Sequence, residues 1–415
     1  MRPDRTAALL ALALAGVVCA PACAQSGGLH GRIELQEAGL FAPSDSLVQA
    51  AGGDISNDLS GSLRLTWEPS RGPWSLSVHY LVSFEDGAVA RLARDEVPLP
   101  PAPPATLFDL TGRLADHGQL IASQGIDRLA VTYSTSDFVV RVGRQALTWG
   151  SGLVFRPMDL FDPFSPSATD TEYKPGADMV YAQWLFQDGS DLQAVIVPRA
   201  ERAGEAPSAN ASAFALHLHT TLASHQTTWL IARDHGDVVA AAGLNGALAG
   251  ATWNLEMVPT FLDRGGTRLS ALANISDAVT LAGRNATVFA EYFHNGFGVA
   301  DEGAALSTLP ADLTGRLARG QVFTLRRDYL AAGLTLEVTP LFTLSPTLIS
   351  DLDDASAFAL LAGTWSLADN ITLVAGAQAP MGPARTEYGG IPLAPGERLR
   401  SAPPAQVYVQ LRRYF

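Results

Sequence analysis

Apolar residues occupy every second position along much of this sequence, and this alternation constrains the fold more than any other feature. Between positions 59 and 67 apolar or glycine residues alternate strictly with polar ones, and the pattern resumes at 74–84 after a turn with two prolines and a glycine. Further segments of the same kind lie at 129–133, 138–142, 214–218 and 330–338. A period of two is typical of strands whose two faces meet different surroundings. No stretch sustains a period of 3.6 residues, so the sequence predicts an all-β fold.

The composition excludes several classes of protein. With 47% hydrophobic and 17% charged residues, the chain has enough apolar surface to avoid disorder. No apolar run beyond the N-terminal region approaches the roughly 20 residues that a membrane-spanning helix requires. Acidic residues outnumber arginine and lysine 41 to 28, which argues against nucleic acid as a partner.

The N-terminus has the features of a secretory signal peptide. Arg2 and Arg5 precede an apolar stretch from Ala7 to Val18, and an A-x-A sequence ends at Ala24. We therefore expect residues 1–24 to be cleaved and 25–415 to form the exported protein. Both cysteines lie in the removed segment, so sulfur ligands and disulfides are not expected in the mature chain.

The connections between alternating segments predict the number of strands. Eight short connections are separated by nine of more variable length, which gives 18 strands, with 16 as an open alternative. The longest connections are at 85–126, 149–177, 295–327 and 381–404. Short turns on one side and longer loops on the other are typical of an up-and-down antiparallel β-barrel in a bacterial outer membrane, where the long loops are extracellular.

A soluble β-sandwich also alternates, and two features favour the barrel. One is the export signal followed by a continuous series of hairpins. The other is the last strand, which ends at Tyr414 and Phe415 and looks like the assembly signal that the barrel assembly machinery recognises. Closure also removes the exposed edges that a large open sheet would present. We therefore expect a transmembrane barrel in the outer membrane of a Gram-negative bacterium, in contact with lipids and lipopolysaccharide.

One stretch carries a more specific resemblance. Val142-Gly143-Arg144-Gln145 is followed by Trp149-Gly150 and then by the proline- and aromatic-rich segment 152–164. This stretch resembles porin-like outer-membrane families of proteobacteria, including the alginate-export type. The segments 172–176 and 291–298 are similar to a group of uncharacterised barrels. The resemblance implies a channel, and it implies that the connection at 149–177 occupies the position where general porins fold a loop into the lumen.

The composition of that connection fits an ordered insert, because several prolines restrict its backbone and its aromatic residues can pack against the wall. Its candidate constriction residues are Arg156, Asp159, Asp162 and Lys174. The alternative is an external cap that carries these charges on its surface.

The alternation also predicts which side chains face the lumen. If the apolar positions face lipid, the inward, pore-lining set comprises Arg64, Arg141, Gln145, His217, His219, Glu256, Glu291 and Glu337. The inward glutamates argue against a polyanion such as alginate as the solute. His217 and His219 share a strand face but have no identifiable third ligand, so we expect pore-wall residues, with no metal and no cofactor.

The function predicted from these features is diffusion of small polar solutes through a porin-like channel. One alternative is an outer-membrane component that works with an inner-membrane export pump. Another is a hydrolase with Asp234-His235 or Asp351, Asp353 and Asp354 at the rim, although no G-x-S-x-G motif occurs. The connection at 85–126 is expected to cap the mouth and to contain a helix within 107–121.

Overall fold

The computed structural model describes residues 28–94, 106–202, 205–300 and 304–415, and the predicted signal peptide lies outside these ranges. One antiparallel sheet contains 18 long strands. They are β1 (Leu29–Phe41), β2 (Ile55–Trp67), β3 (Trp74–Asp86), β4 (Leu120–Ser134), β5 (Phe138–Gln145), β6 (Ala177–Leu185), β7 (Asp191–Val197), β8 (Ala213–Leu222), β9 (His225–Asp234), β10 (Asp237–Leu248), β11 (Ala251–Phe261), β12 (Thr267–Leu281), β13 (Arg284–His294), β14 (Asp328–Thr339), β15 (Phe342–Asp351), β16 (Ala357–Ala368), β17 (Ile371–Met381) and β18 (Ala405–Tyr414).

The sheet closes on itself. Each strand pairs with the next in the chain, and β18 pairs with β1 in a register that runs from Arg32 opposite Tyr414 to Phe41 opposite Ala405. Closure leaves no free edge at this seam. The predicted 18-stranded up-and-down barrel is confirmed, and the 16-stranded alternative is excluded.

The eight connections at one end of the barrel are short, and the four predicted long ones all lie at the other end. Within the described residues, three short α-helices occur in long connections: α1 (Leu47–Gly52), α2 (Ala88–Arg94) and α3 (Ala311–Ala318). None of the described helices is long and apolar enough to cross a membrane. A 3₁₀-helix (Leu306–Thr308) and four short strands complete the described elements, the strands being Ser70–Arg71, Thr111–His117, Ile391–Pro392 and Arg400–Ser401.

The expectation of a helix within 107–121 was wrong. Thr111–His117 is a strand that pairs with the first residues of β4, and the chain reverses at Gly118, whose φ is +62°. The reason is that β4 begins at Leu120 but pairs with β5 only from Leu129 onward. The preceding segment, 111–117, pairs with the first residues of β4 on the side that β5 leaves free. The connection between β3 and β4 therefore covers 87–119 and not 85–126.

The outer face of the barrel is apolar. On β11, Leu255 and Met257 are 46% and 54% exposed, whereas Glu256 between them is 2% exposed and faces inward. The same alternation recurs around the sheet, with large exposed side chains such as Ile196, Ile231 and Leu348 pointing outward. This distribution is the reverse of a water-soluble protein, which buries its apolar face.

Aromatic side chains ring the outer face near both ends. Those near the short turns include two pairs that cross between strands: Trp74 and Tyr133 have ring centroids 4.8 Å apart, and Phe138 and Trp184 are 5.1 Å apart. Near the long connections the outward aromatics are Phe41, Phe84, Phe214, Phe261 and Tyr292. Two such girdles flanking an apolar band are typical of barrels at the two interfaces of a membrane.

Candidate functional site

The connection between β5 and β6 lies inside the barrel. Residues 146–176, here called the inner loop, contact inward side chains of strands all round the wall, from Gln193 on β7 to Gln378 on β17 and Arg32 on β1. The prediction from sequence placed this connection at 149–177. The loop is enclosed by the wall, and most of the inward side chains described below contact it.

Two glutamates hold the first arm of the inner loop, residues 148–155. Glu291 accepts hydrogen bonds from the backbone N–H groups of Leu153, Val154 and Phe155 at 2.6, 2.9 and 2.8 Å. Glu256 accepts from the backbone and the hydroxyl of Ser151, the latter at 2.8 Å. Buried carboxylates need such donors to offset the loss of water. These side chains therefore fasten the loop, which is a different role from the freely solvated pore wall that the sequence suggested.

Apolar contacts complete the first arm. Phe155 stacks on Phe293 of β13 with ring centroids 4.7 Å apart and also contacts Tyr329 of β14. Trp149 contacts a different part of the wall, where its ring is parallel to His217 of β8 at 4.9 Å and its Nε1 donates to Gln193 of β7 at 2.8 Å. The first arm is thus fixed at separate points of the wall, from β7 to β14.

Arginines hold the second arm, residues 165–174. Arg32 donates to Asp170 at 2.7 Å and to Glu172 at 2.8 Å, and Arg412 donates to the carbonyl of Thr169 at 3.3 Å. Arg32 and its neighbour on β2, Arg64, place their guanidinium carbons 4.8 and 4.4 Å from the Tyr173 ring centroid, within cation–π range.

A buried ion pair joins the end of the second arm to the segment between the two arms. The ammonium of Lys174, the single lysine of the chain, lies 2.7 Å from both carboxylate oxygens of Asp159 and also donates to the carbonyl of Leu147. Burial raises the pKa of Asp159 to about 6, against the opposing effect of Lys174, and burial lowers the pKa of Lys174. Because the two charges face each other, the pair contributes little net field to the lumen.

The other predicted constriction residues are less enclosed. Arg156 lies with its guanidinium carbon 6.0 Å from the Phe164 ring centroid. Asp162 has a positive φ of 55°, and burial raises its pKa. Both are partly exposed, so they carry the charge of the inner loop that a solute can meet.

The predicted pore-lining residues all lie on the inward face. Besides the two glutamates and His217, Arg64 pairs with Asp127 at 2.5 Å, Arg141 donates to Thr132 at 3.0 Å, and Gln145 donates to the carbonyl of Met179 at 3.3 Å. On the other side of the barrel, Glu337 accepts from Asn285 at 2.9 Å. His219 lies 3.4 Å from Asp191. That these side chains line a conducting path remains a prediction.

Sequence reasoning missed several inward residues. Arg32 and Arg412 lie at alternating positions of the first and last strands, so the pattern used for Arg64 identifies them as well. Asp127 was not accessible to that reasoning, because a bulge in β4 opposite His79 and Tyr80 shifts the register and brings Asp127 and Arg128 to the same side. Arg128 also donates to the carbonyl of Lys174.

The long connections close over the inner loop at the opposite end from the short turns. Glu387 accepts from the backbone N–H groups of Leu325 and Arg326 at 3.1 Å and from the Tyr329 hydroxyl, and burial raises the pKa of Glu387 to about 7. Arg326 also pairs with Asp354 at 3.2 Å. Between the inner loop and connection 295–327 there remains a cavity of only about 50 Å³.

The acidic residues considered for hydrolysis take part in these loop contacts. Asp234 accepts from Arg199 at 2.7 Å and from Gln321 at 2.6 Å. Asp353 accepts from the backbone N–H groups of Arg327 and Asp328. Through these hydrogen bonds the acidic residues hold the long connections in place, which accounts for their positions.

Several solved structures resemble the chain over nearly its whole length. OccK5 (OpdH) of Pseudomonas aeruginosa is 8% identical with a TM-score of 0.53, and covers 93% of this chain and 98% of its own. OccAB1 of Acinetobacter baumannii is 8% identical with a TM-score of 0.52, covering 93% and 96%. This chain has the same fold.

A BenF-like porin from Pseudomonas fluorescens is similar as well, at 9% identity and a TM-score of 0.50, covering 94% of this chain and 99% of its own. No family model and no curated protein sequence matches the chain. At these identities the likeness concerns the fold, which confirms the porin-like barrel that the sequence predicted.

Proposed function

We propose that the protein is an outer-membrane channel through which small polar solutes diffuse past the inner loop. The observation that carries this proposal is the position of residues 146–176 inside a barrel whose outer face is apolar. A loop fastened in the lumen narrows it and places charges where a solute must pass, and rings of charge at a constriction decide which solutes enter.

The outer surface supports a membrane location. The apolar belt between two aromatic girdles fits the hydrocarbon layer and its two interfaces. The expected signal peptide would direct the chain across the inner membrane, and the short turns would then face the periplasm. The long connections would face the outside, next to lipopolysaccharide.

Inside the barrel, a group of arginines and a group of glutamates lie on different parts of the wall. Arg32, Arg64 and Arg412 lie on adjoining strands around the seam, and Glu256 and Glu291 lie on the opposite wall. The inner loop neutralises part of each set, by carboxylates at the seam and by backbone N–H groups opposite. A solute therefore meets mixed charge, which favours small polar molecules over a long polyanion.

The test is single-channel conductance of the refolded protein in a planar bilayer. We expect discrete conductance steps, and larger steps after residues 155–170 are replaced by a short glycine-serine linker. As a control, the same linker in place of residues 395–399, which are exposed in the connection between β17 and β18, should leave the step size unchanged. Absence of any steps, in protein shown to be folded by its heat-dependent migration on a gel, would refute the channel.

A further inference from the structure

A second feature of the interior is a polar cavity beneath the first arm of the inner loop. Its volume is about 260 Å³, and it is lined by residues 148–151, Met158 and inward side chains of β7 to β11. One of its lining residues is Asp191, the first residue of β7 after a short turn. The cavity is therefore on the short-turn side of the inner loop. Since a water takes about 30 Å³ in the liquid, there is room for a small organic molecule.

Two carboxylates line this cavity, and one of them, Glu256, has an oxygen without a hydrogen-bond partner among the described residues. Glu256 uses Oε1 to hold Ser151, and its buried Oε2 has no hydrogen-bond partner among the described residues. Asp191 uses Oδ1 to accept from Gln183 and Gln193, at 3.1 and 2.8 Å, while its Oδ2 faces His219 at the longer distance of 3.4 Å. A desolvated carboxylate oxygen without a donor is costly, so a ligand that supplies N–H donors is stabilised here.

The charges around the cavity select the sign of its ligand. No arginine or lysine is among its described lining residues, whereas Asp191 and Glu256 both are. Arg32 and Arg64, two arginines of the interior, are paired with carboxylates outside this cavity. The cavity is therefore negative, and an anionic solute is disfavoured.

The aromatic residue in the cavity does not serve as a platform for a sugar ring. The indole of Trp149 is stacked against His217, with an angle of 3° between the planes, and it also contacts Phe161 at a centroid distance of 5.4 Å. Its N–H group is used by Gln193. A neutral polyol would therefore meet negative acceptors without the stacking surface that binds a sugar.

We propose that this cavity binds a small organic diamine in its doubly charged form, with one ammonium group donating to Glu256 Oε2 and the other to Asp191 Oδ2. The inference rests on the proposed channel, in which the cavity is a binding station on the short-turn side of the inner loop. It extends that proposal by naming a class of solute and the two residues that select it.

The test measures binding in detergent, where no passage through a membrane is involved. Three probes of the same chain length are titrated calorimetrically into the folded protein: 1,4-diaminobutane, 1,4-butanediol and succinate. We expect heat of binding with the diamine and none with the diol or the diacid. Equal binding of diamine and diol, or preference for succinate, would overturn the proposal.

The site is assigned by conservative variants. Glu256→Gln keeps the oxygen that holds Ser151 but removes the charge and one acceptor, and should weaken diamine binding by about tenfold or more. Asp191→Asn serves the same purpose should Glu256→Gln fail to fold. The matched control is Glu337→Gln, an inward glutamate on β14 outside the cavity, which should bind the diamine as the wild type does.

The two measurements, binding and conductance, test the proposed ligand site and the proposed channel independently. Binding that persists in both cavity variants refutes the site, whatever the conductance. Diamine binding that requires Glu256, in protein that shows no conductance steps, supports the cavity and refutes the channel.

Discussion

Arg32 on the first strand is bonded to Glu172 of the inner loop at 2.8 Å, and Glu172 also accepts from the hydroxyl of Tyr414 on the last strand at 2.7 Å. One carboxylate of the loop therefore contacts both strands of the seam where the barrel closes. Arg32 and Tyr414 lie opposite each other in the β1–β18 register. It follows that the inner loop completes these contacts only when the barrel is closed.

The first prediction concerns this junction. Arg32→Met removes a guanidinium that is 4% exposed and leaves Asp170 and Glu172 without their main partner. We expect a loss of about 3 kcal/mol in the free energy of unfolding, as for other enclosed ion pairs broken on one side. Urea titration in detergent micelles measures it, and noisier single-channel traces should accompany it because the second arm is released.

The control for that variant is Arg202→Met. Arg202 pairs with Glu205 at 3.3 Å, but its side chain is 82% exposed, so its loss should change stability by less than about 1 kcal/mol. Equal stabilities of the two variants would show that Arg32 does not hold the loop.

The second prediction concerns the first arm. Glu291→Gln replaces an acceptor of three backbone N–H groups by an amide that turns a donor toward some of them, while Asn274 loses a partner at 3.0 Å. We expect about 2–4 kcal/mol of destabilisation and a larger conductance step, since a buried charged hydrogen-bond network is broken. Glu337→Gln, whose carboxylate bonds only to Asn285 among the described residues, should change neither measurement appreciably.

The barrel could be predicted from the sequence because its determinants are local. Strand number follows from alternation and from turns such as that after Trp67, and each is readable within about ten residues. The two features that escaped are non-local or irregular: the bulge at Asp127, and the continuation of β4 that turns 111–117 into a strand.

The candidate site was predictable only as a list of inward charges. Glu256 and Ser151 are 105 residues apart in the sequence, and Glu291 and Leu153 are 138 apart. Alternation tells which way a glutamate points, but it does not tell what lies in the lumen to meet it. For this reason the sequence predicted solvated pore-wall glutamates, whereas in the structure Glu256 and Glu291 hold the inner loop.

The third prediction is a pH dependence of stability that arises in the outer connections. Burial raises the pKa of Glu387 to about 7 from its usual 4.5, so the folded state binds this proton more tightly than the unfolded state. The stabilising contribution is therefore complete below about pH 4.5 and is lost as the pH rises through about 7, by about 3 kcal/mol in total.

The free energy of unfolding, obtained from urea titrations between pH 4 and 8, provides the test. In Glu387→Gln the fall between pH 4.5 and 7 should become shallower by that amount, because the titrating group is absent. Asp159, whose pKa is about 6, adds a separate decrease between about pH 4 and 6 that this variant retains. A wild-type midpoint that rises over the same interval would contradict the assignment.

The last prediction concerns ion selectivity and uses two charged residues of the inner loop that are partly exposed and in no ion pair with another described residue. Asp159 is unsuitable for this purpose, since neutralising it would leave the buried Lys174 unpaired and disturb the loop itself. Asp162 and Arg156 are only partly buried, and no ion pair joins either of them to another described residue.

Asp162→Asn should shift the reversal potential in a salt gradient toward anions, and Arg156→Met should shift it toward cations, because fixed charge at a constriction enriches the opposite ion. Both variants should keep the wild-type free energy of unfolding within about 1 kcal/mol, which separates a change in the electrostatic field from a change in the fold. Shifts of the same sign in both variants, or none in either, would mean that solutes do not pass the inner loop beside these residues.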